Sequence, residues 1–435
     1  MSIIKLKKNL YKKTKVGDIP ENWDVRSLGN LIVEMKSGLS RKLADKDLGL
    51  PVLRSNNLVN NEVVFDNLLY WYFDDPQGAN TKGYFLNDGE ILVNFINSPA
   101  QIGKCALFIN KLGRPIIYTT NLLSLSLDSE QIDPGFFLSL TLSSLYKKFI
   151  QSITKPAINQ ASFTTKDFRK FTLPLPPLFE QKKISQVLSA WDEAIEKNRE
   201  LLKVYLRRRK GLSQNLLSGG LRFKEFIQDD QLIKTKVGTL PADWHLRSIS
   251  NIVTRVKKSF TPEPDTLYQE IGIRSHAKGI FHKEKVTGKS LGNKSVFWIE
   301  PDCFVVNIVF AWEHAIAKTT EAEAGMIASH RFPMYKPKKD LLDLDYLLYY
   351  FKSARGKHLL GLASPGGAGR NKTLGQSDFA KLQIPVPSLE EQRKIASVLS
   401  EADKEIDLLR QHIKTLKEQK KGLMQKLLTG EVRTI

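Results

Sequence analysis

The chain is poor in the residues that would carry chemistry of its own. Two cysteines, Cys105 and Cys303, stand among 435 residues, each followed by apolar residues. Neither a disulfide framework nor a thiolate metal site is spelled, and a reducing, cytoplasmic setting is expected. His276, His282 and His314 have no thiols or paired carboxylates at ligand spacing, so no metal is expected; each reads as a surface or base-contacting residue. No stretch of 18 apolar residues occurs, and no membrane span is expected. The opening "MSIIKLKKNLYKKTK" is basic but no apolar run follows it, so no signal peptide is expected.

Catalytic signatures are missing as well. Neither Gly-x-Gly-x-x-Gly nor Gly-x-x-x-x-Gly-Lys-Ser/Thr occurs, which leaves no spelled dinucleotide or triphosphate loop. The Asn/Asp-Pro-Pro-Phe/Tyr signature of amino-directed base methylation is absent, because the only Pro-Pro, Pro176–Pro177, follows a leucine. Pro264–Asp265 is followed by Glu270 and Glu284, but neither has a lysine two positions on, so a metal-dependent nuclease core is not supported. The chain reads as non-catalytic, with no cofactor of its own.

What is abundant is positive charge and repetition. Lys and Arg number 66 against 46 Asp and Glu, a net +20, and a polyanion is the leading partner, ahead of an acidic protein. "PLPPLFEQKKISQVLS" at Pro174 returns as "PVPSLEEQRKIASVLS" at Pro385, ten of sixteen residues identical at an offset of 211. "TKVGDIPENWDVRSL" at Thr14 returns as "TKVGTLPADWHLRSI" at Thr235, eight of fifteen identical at an offset of 221. The chain is therefore an internal duplication: opening segment, variable region, Pro-x-Pro and long helix, then all of these again.

The variable regions, about 29–172 and 250–383, hold short β-leaning runs such as "GEILVNFI" from Gly89 and "DCFVVNIVFAW" from Asp302. The stretches "PGFFLSLTLSSLYKKFIQS" from Pro134 and "LDLDYLLYYFKSARGKHL" from Leu342 each read as a helix. The expected fold class is α/β: two variable α/β domains separated by two long helices. The expected boundaries are 1–172 for the first variable domain with its opening segment, 173–219 for the first long helix, 220–383 for the second domain and 384–430 for the second helix.

The helices repeat apolar residues at steps of three and four. The first stripe carries Ile184, Leu188, Trp191, Ile195, Leu202 and Tyr205; the second carries Ile395, Leu399, Ala402, Ile406, Ile413 and Leu416. Some 36 residues span roughly 54 Å, and a polar helix of that length with one apolar seam wants a partner. Its duplicate is the nearest one. Antiparallel pairing as a coiled coil is expected, with a pseudo-two-fold axis and one domain near each end of the rod. Gly219 and Gly430 follow the last apolar residues as C-caps would. Gly211 and Gly422 lie inside the pattern and predict a close approach, a bend, or a break into shorter helices. Two divergent readers on a rod suit a molecule that contacts two short stretches of one duplex at a set separation.

These repeated segments, with the endings "GLSQNLLSGG" and "GLMQKLLTGE", resemble the specificity subunits of type I restriction–modification enzymes over nearly the whole chain. The resemblance implies that each variable domain binds one half of an asymmetric bipartite site on double-stranded DNA. It further implies that the helices set the spacer and dock two modification subunits, which use S-adenosylmethionine. Two restriction subunits, which use ATP and Mg2+, would complete the complex. The rival reading is a duplicated DNA-binding protein acting alone, as a repressor or architectural factor.

Phosphate contacts call for basic and small polar side chains, and base reading for Arg, Lys, Asn, Gln and Ser. In the first domain the candidates are Lys36, Ser37, Arg41 and Lys42 of "MKSGLSRKLADKD", and Arg54, Ser55, Asn56 and Asn57 of "LRSNNL"; the latter stretch is a base reader or a solvated turn. In the second they are Arg255, Lys257 and Lys258 of "TRVKKSF", and Arg274, Ser275, His276 and Lys278 of "IRSHAKG". Arg54 and Arg274 correspond at an offset of 220 and read as equivalent anchors. Arg370, in "SPGGAGRNKTLG", belongs to a phosphate-facing loop or a plain connection. Trp312, His314 and Arg331 are weaker candidates, and the matched Asn94 and Asn307 read as satisfied structural amides. Arg207, Arg208, Arg209 and Lys210 circle the first helix, facing phosphate or acidic protein.

Overall fold

In a computed structural model, which describes residues 3–5, 11–157, 160–366 and 372–434, the repeated "TKVG" closes the same hairpin twice. Strands Tyr11–Thr14 and Gly17–Pro20 pair antiparallel, as do Leu232–Thr235 and Gly238–Pro241. The Thr14 hydroxyl donates to the Gly17 carbonyl at 2.7 Å and accepts from the Val16 amide at 3.2 Å; Thr235 does the same with Gly238 and Val237. Gly17 and Gly238 sit at φ 107° and 113°, and a Cβ at either would meet nothing within 4 Å. The glycine is required by backbone conformation, not by space.

The chain divides into two compact units, Met1–Arg199 with His412–Ile435 and Glu200–Gln411. In the first, a six-stranded mixed sheet runs Ile32–Ser37, Leu122–Leu127, Ile91–Asn94, Cys105–Leu107, Glu62–Val63, Leu58–Val59. Helices Pro134–Thr141 and Ser144–Ile153 bury Phe136, Phe137, Leu140 and Tyr146 in the same cluster as Ile91, Val93, Leu123 and Leu125 of its strands. Burial of each such side chain stabilises by about 1.5–3 kcal/mol. A separate three-stranded sheet joins Ile117–Tyr118, Gly49–Leu53 and Leu69–Tyr72.

The second unit has a four-stranded sheet of Val253–Val256, Met334–Pro337, Phe304–Val306 and Ile316–Lys318. Its five-stranded sheet runs Ser259–Phe260, Val296–Trp298, Ile327–Ser329, Leu267–Ile273, Ile280–Thr287. Helices Leu344–Lys352 and Ala354–Leu362 bury Tyr346, Phe351 and Leu360 in one cluster with Phe304 and Phe379.

The same device opens each long helix. Strand Thr172–Leu175 pairs with Asp24–Ser27, and Gln383–Val386 with His245–Ser248; the helices Leu178–Ser218 and Leu389–Leu428 follow. In the first unit Glu180 is fully buried and accepts from Trp23 Nε1 at 3.0 Å and from the Arg433 guanidinium at 2.6 and 2.8 Å. In the second, Glu391 accepts from Trp244 Nε1 at 3.1 Å and from Arg222 at 2.9 and 2.8 Å. The next residue, Gln181 or Gln392, accepts the amide of Asp133 or Asp343 and donates to two carbonyls. Buried polar groups persist when paired in this way, which explains why Trp, Glu-Gln and the post-helix arginine occur twice.

Within each unit the two long helices run antiparallel. In the first, Ile184 and Leu188 share a buried cluster with Met424, Leu427 and Leu428, and Lys420 pairs with Asp192. In the second, Leu216 and Leu217 share one with Ile395, Ala396 and Leu399, and Arg209 pairs with Asp403 at 2.7 Å. Asp192 and Asp403 correspond at the repeat offset of 211, as do Arg209 and Lys420. Of the stripe residues, Ile195, Ala402, Ile406 and Ile413 are also buried, while Trp191, Leu202, Tyr205 and Leu416 are half-buried.

Two expectations are corrected and a third holds. The stretches from Pro134 and Leu342 are each two helices, because Ser143 and Ser353 cap a second helix by accepting the amides of Tyr146 and Gly356. Both long helices continue unbroken through Gly211 and Gly422, and a Cβ at either would meet nothing within 4 Å, so these glycines mark neither a break nor a close approach. Gly219 and Gly430 do end their helices, at φ 75° and 72°, where a Cβ would lie 2.5 Å from Pro241 and 2.4 Å from Pro20.

Candidate nucleic-acid interface

Many of the cations named from sequence are already engaged inside their own unit. Lys36 donates to the Gly83 carbonyl at 2.6 Å and lies over the Tyr84 ring. Arg41 holds Asp75 through Nε and Nη2 at 2.9 and 2.5 Å. That carboxylate also accepts from the amides of Gln77 and Ala79 and from Trp71 Nε1. The Arg41 bond leads in holding the Asp75 pKa down to about 2, against the opposing effect of burial. Arg41 therefore fastens the 75–79 turn. Ser37 and Lys42 are exposed.

"LRSNNL" forms a turn, Ser55–Asn57. Asn57 is buried, and its amide accepts from the Arg54 backbone and donates to the carbonyls of Val64 and Asp66. Arg54 Nη2 donates to the Asn67 carbonyl at 2.9 Å. Asn56 is exposed and Ser55 half-buried, so Asn56 is the side chain this turn offers outward. Arg41 and the Arg54 turn flank one sheet, since Ala44 bridges Tyr70 and Gly49–Leu53 pairs with Leu69–Tyr72.

In the second unit Arg274 Nη1 donates to the Ile280 carbonyl at 3.0 Å, and its guanidinium lies over Phe281. Arg54 and Arg274 are each bonded to a main-chain carbonyl of their own unit. Ser275 donates to Glu313 at 2.9 Å, and the amides of His276 and Ala277 bond the carbonyls of Glu313 and His314. His276 stands at φ 60°, so this hairpin tip is fixed against the 311–314 turn with His276 and Lys278 exposed. Lys258 pairs with Glu300; Arg255 and Lys257 are exposed. No hydrogen bond among the described residues joins the 255–258 group to the 274–278 group. Arg370 lies outside the described residues.

The weaker candidates separate. His314 is buried against the Phe351 carbonyl, and burial leads in lowering its pKa. Trp312 is half-buried and donates to the Val309 carbonyl. Arg331 is exposed. Of the two matched asparagines, Asn94 Nδ2 donates to Gln101 while its Oδ1 is buried without a partner among the described residues, and Asn307 Oδ1 accepts from Val309. On the first helix Arg208 and Arg209 pair with Glu405 and Asp403, leaving Arg207 and Lys210 exposed.

Sequence reasoning passed over Arg222 and Arg433, although they recur at the offset of 211 just beyond each helix. The two cysteines are buried and free, with burial pushing their thiols up to about 12 and about 11. Among the described residues no group of three His, Cys, Asp or Glu is placed to hold a metal ion, and no helix is long and apolar enough to cross a membrane.

Comparison with known proteins adds four findings. A family model described as "Type I restriction modification DNA specificity domain" matches residues 20–204 and 241–418. The chain is 27% identical to the putative type I restriction enzyme MjaX specificity subunit of Methanocaldococcus jannaschii, over 98% of this chain and 97% of that one. It is 22% identical to the MjaVIII specificity subunit of the same organism, over 95% and 94%. Among solved structures, the type I restriction–modification S subunit from M. genitalium has a similar fold, with a TM-score of 0.54 at 14% identity over 98% of both chains.

Proposed function

The chain belongs to the type I restriction–modification DNA specificity family, and from that premise we propose how its two units are used. It is the sequence-specificity subunit of a type I restriction–modification complex, a non-catalytic DNA-binding chain that recognises a bipartite site through two domains. We assign one half-site to the variable part of each unit. The observation that carries this assignment is a shared scaffold with unlike surfaces. The Trp–Glu–Arg brace and the Thr-Gly hairpin occur identically in both units, while the segments after the anchoring arginines read "SNN" and "SHAKG".

The paired helices supply the spacer in this reading. Their outward faces supply the docking surface for two modification subunits; Leu201, Val204 and Leu408 are exposed there in the second unit, an apolar presentation that a partner would cover. Two restriction subunits complete the assembly, and S-adenosylmethionine, ATP and Mg2+ are bound by the partners. The exposed cations Lys42, Lys257, Lys278 and Arg207 neutralise phosphates, and Asn56 and His276 face bases.

The test is a map of methylated adenines in cells carrying the complex, with residues 29–172 replaced by the corresponding region of another specificity subunit. One half-site should change while the other half-site persists. An unchanged pair of half-sites would end the assignment of one half-site to each unit.

A further inference from the structure

Several cations of the second unit, of which the motif reading named only Arg331, line one cleft. A cleft of about 370 Å³ opens between the Leu267–Ile273 and Ile280–Thr287 hairpin and the loops around 294, 309 and 330. Three of its basic side chains, Lys294, His330 and Arg331, are exposed, with no side-chain hydrogen bond or ion pair among the described residues. A fourth, Lys283, is only loosely held by Glu270, at 3.5 Å. Three permanent cations thus face one carboxylate. By contrast Arg274, Ser275 and Lys258, which the motifs favoured, are occupied by Ile280, Glu313 and Glu300.

The backbone beneath these side chains is fixed. The His330 amide donates to the Ser295 carbonyl at 3.2 Å, and the Ile308 amide to the Arg331 carbonyl at 3.0 Å. The loops are held while the charged ends stay free, the condition under which binding loses least to ordering. Phe310 presents an exposed ring at the rim. Asn307, nine-tenths buried, lines the wall; its Oδ1 is taken by Val309, while its amide nitrogen has no partner among the described residues.

We propose that this cleft is a base-reading pocket of the second unit, with Arg331 as its specificity-determining residue. The proposal rests on the family reading and deepens it. Lys283 and Lys294 neutralise backbone phosphates, which adds affinity without sequence information. Arg331 offers a planar fork of donors that matches the O6 and N7 acceptors of guanine in the major groove, a match that a lysine's single point charge lacks. Phe310 lies against the apolar edge of a neighbouring pyrimidine.

The experiment uses the full chain assembled with its modification subunits. Methylated adenines are mapped for wild type, Arg331→Ala, Arg331→Lys and Lys294→Ala, and duplex binding is measured against salt. Lys294→Ala should leave the motif intact, lower methylation at all sites alike and reduce the salt slope by about one. Arg331→Ala should leave one half-site untouched and relax a single position of the other, with discrimination falling on the order of 10- to 100-fold. Arg331→Lys should not restore it. If the wild-type complex yields two half-sites and Arg331→Ala, or Arg331→Lys, yields the same two unaltered, the pocket is overturned and the family reading stands. If the wild-type complex yields no bipartite motif at all, both fall.

Discussion

Arg433→Met tests the claim that a buried ion pair fastens the C-terminal tail to the first unit. The Arg433 side chain is 7% exposed and that of Glu180 1%, and they are joined by two bonds of 2.6 and 2.8 Å. Methionine keeps much of the apolar volume against Trp23, whose ring lies 5.7 Å from the guanidinium, but removes both donors. Glu180 is then left with Trp23 Nε1 as its charge-stabilising partner. Breaking one side of a buried pair costs about 3–5 kcal/mol, whereas replacing both sides with apolar groups is often nearly neutral. With two compact units, a single unfolding free energy is not well defined, so the suitable assay is amide hydrogen exchange resolved by segment. Protection in the first unit's helices and strands should fall by at least 10²-fold in Arg433→Met, and should recover substantially in the double variant with Glu180→Met. Arg222→Met should cost the second unit more, because it removes the cation from Asp243 as well as from Glu391. Loss of less than about tenfold in Arg433→Met would refute the assignment of an anchoring role to the pair.

Gly219→Ala and Gly430→Ala combine positive φ with a Cβ about 2.5 Å from a proline ring; each should destabilise by more than about 1 kcal/mol. Gly17→Ala, strained in φ but unobstructed, should cost less, and thermal melts that reverse this order would contradict the account. Asp75 has a folded pKa depressed to about 2, so its contribution is fully present above the unfolded carboxylate pKa of about 3.9 and is lost as pH falls through the folded value. The stability difference between wild type and Asp75→Asn should therefore shrink between pH 5 and pH 2; a pH-independent difference would show that the Arg41–Asp75 bond does not set it.

Much of this molecule was legible because its signals are local. Threonine and glycine at fixed spacing specify the hairpin, steps of three and four specify the long helices, and Gly219 and Gly430 mark their ends. The helix that divides at Ser143 was missed because a serine within an apolar run competes as a cap only when the chain can turn there, which neighbouring packing decides. The glycines at 211 and 422 misled for the opposite reason: their cost within a helix is small enough for the surrounding helix to absorb.

The candidate interface was less legible. Composition counts cations but does not say which are already spent. Arg41, Arg54 and Arg274 looked available in the sequence, yet each is committed to a carboxylate or carbonyl that folding brings to it. Lys294 and His330 carried no motif and Arg331 was only a weaker candidate; the three become a cluster only when separate loops close around one cleft.

The sequence by itself determined the duplication, the repeated scaffold and the family, since these rest on residue order and on interactions a few positions apart. Only the tertiary structure decided that Glu180 meets Arg433 and Glu391 meets Arg222, and which positive charges stay free for a polyanion. Those outcomes depend on partners brought together by the packing of whole elements, and a buried charge takes whichever partner lies within hydrogen-bonding reach.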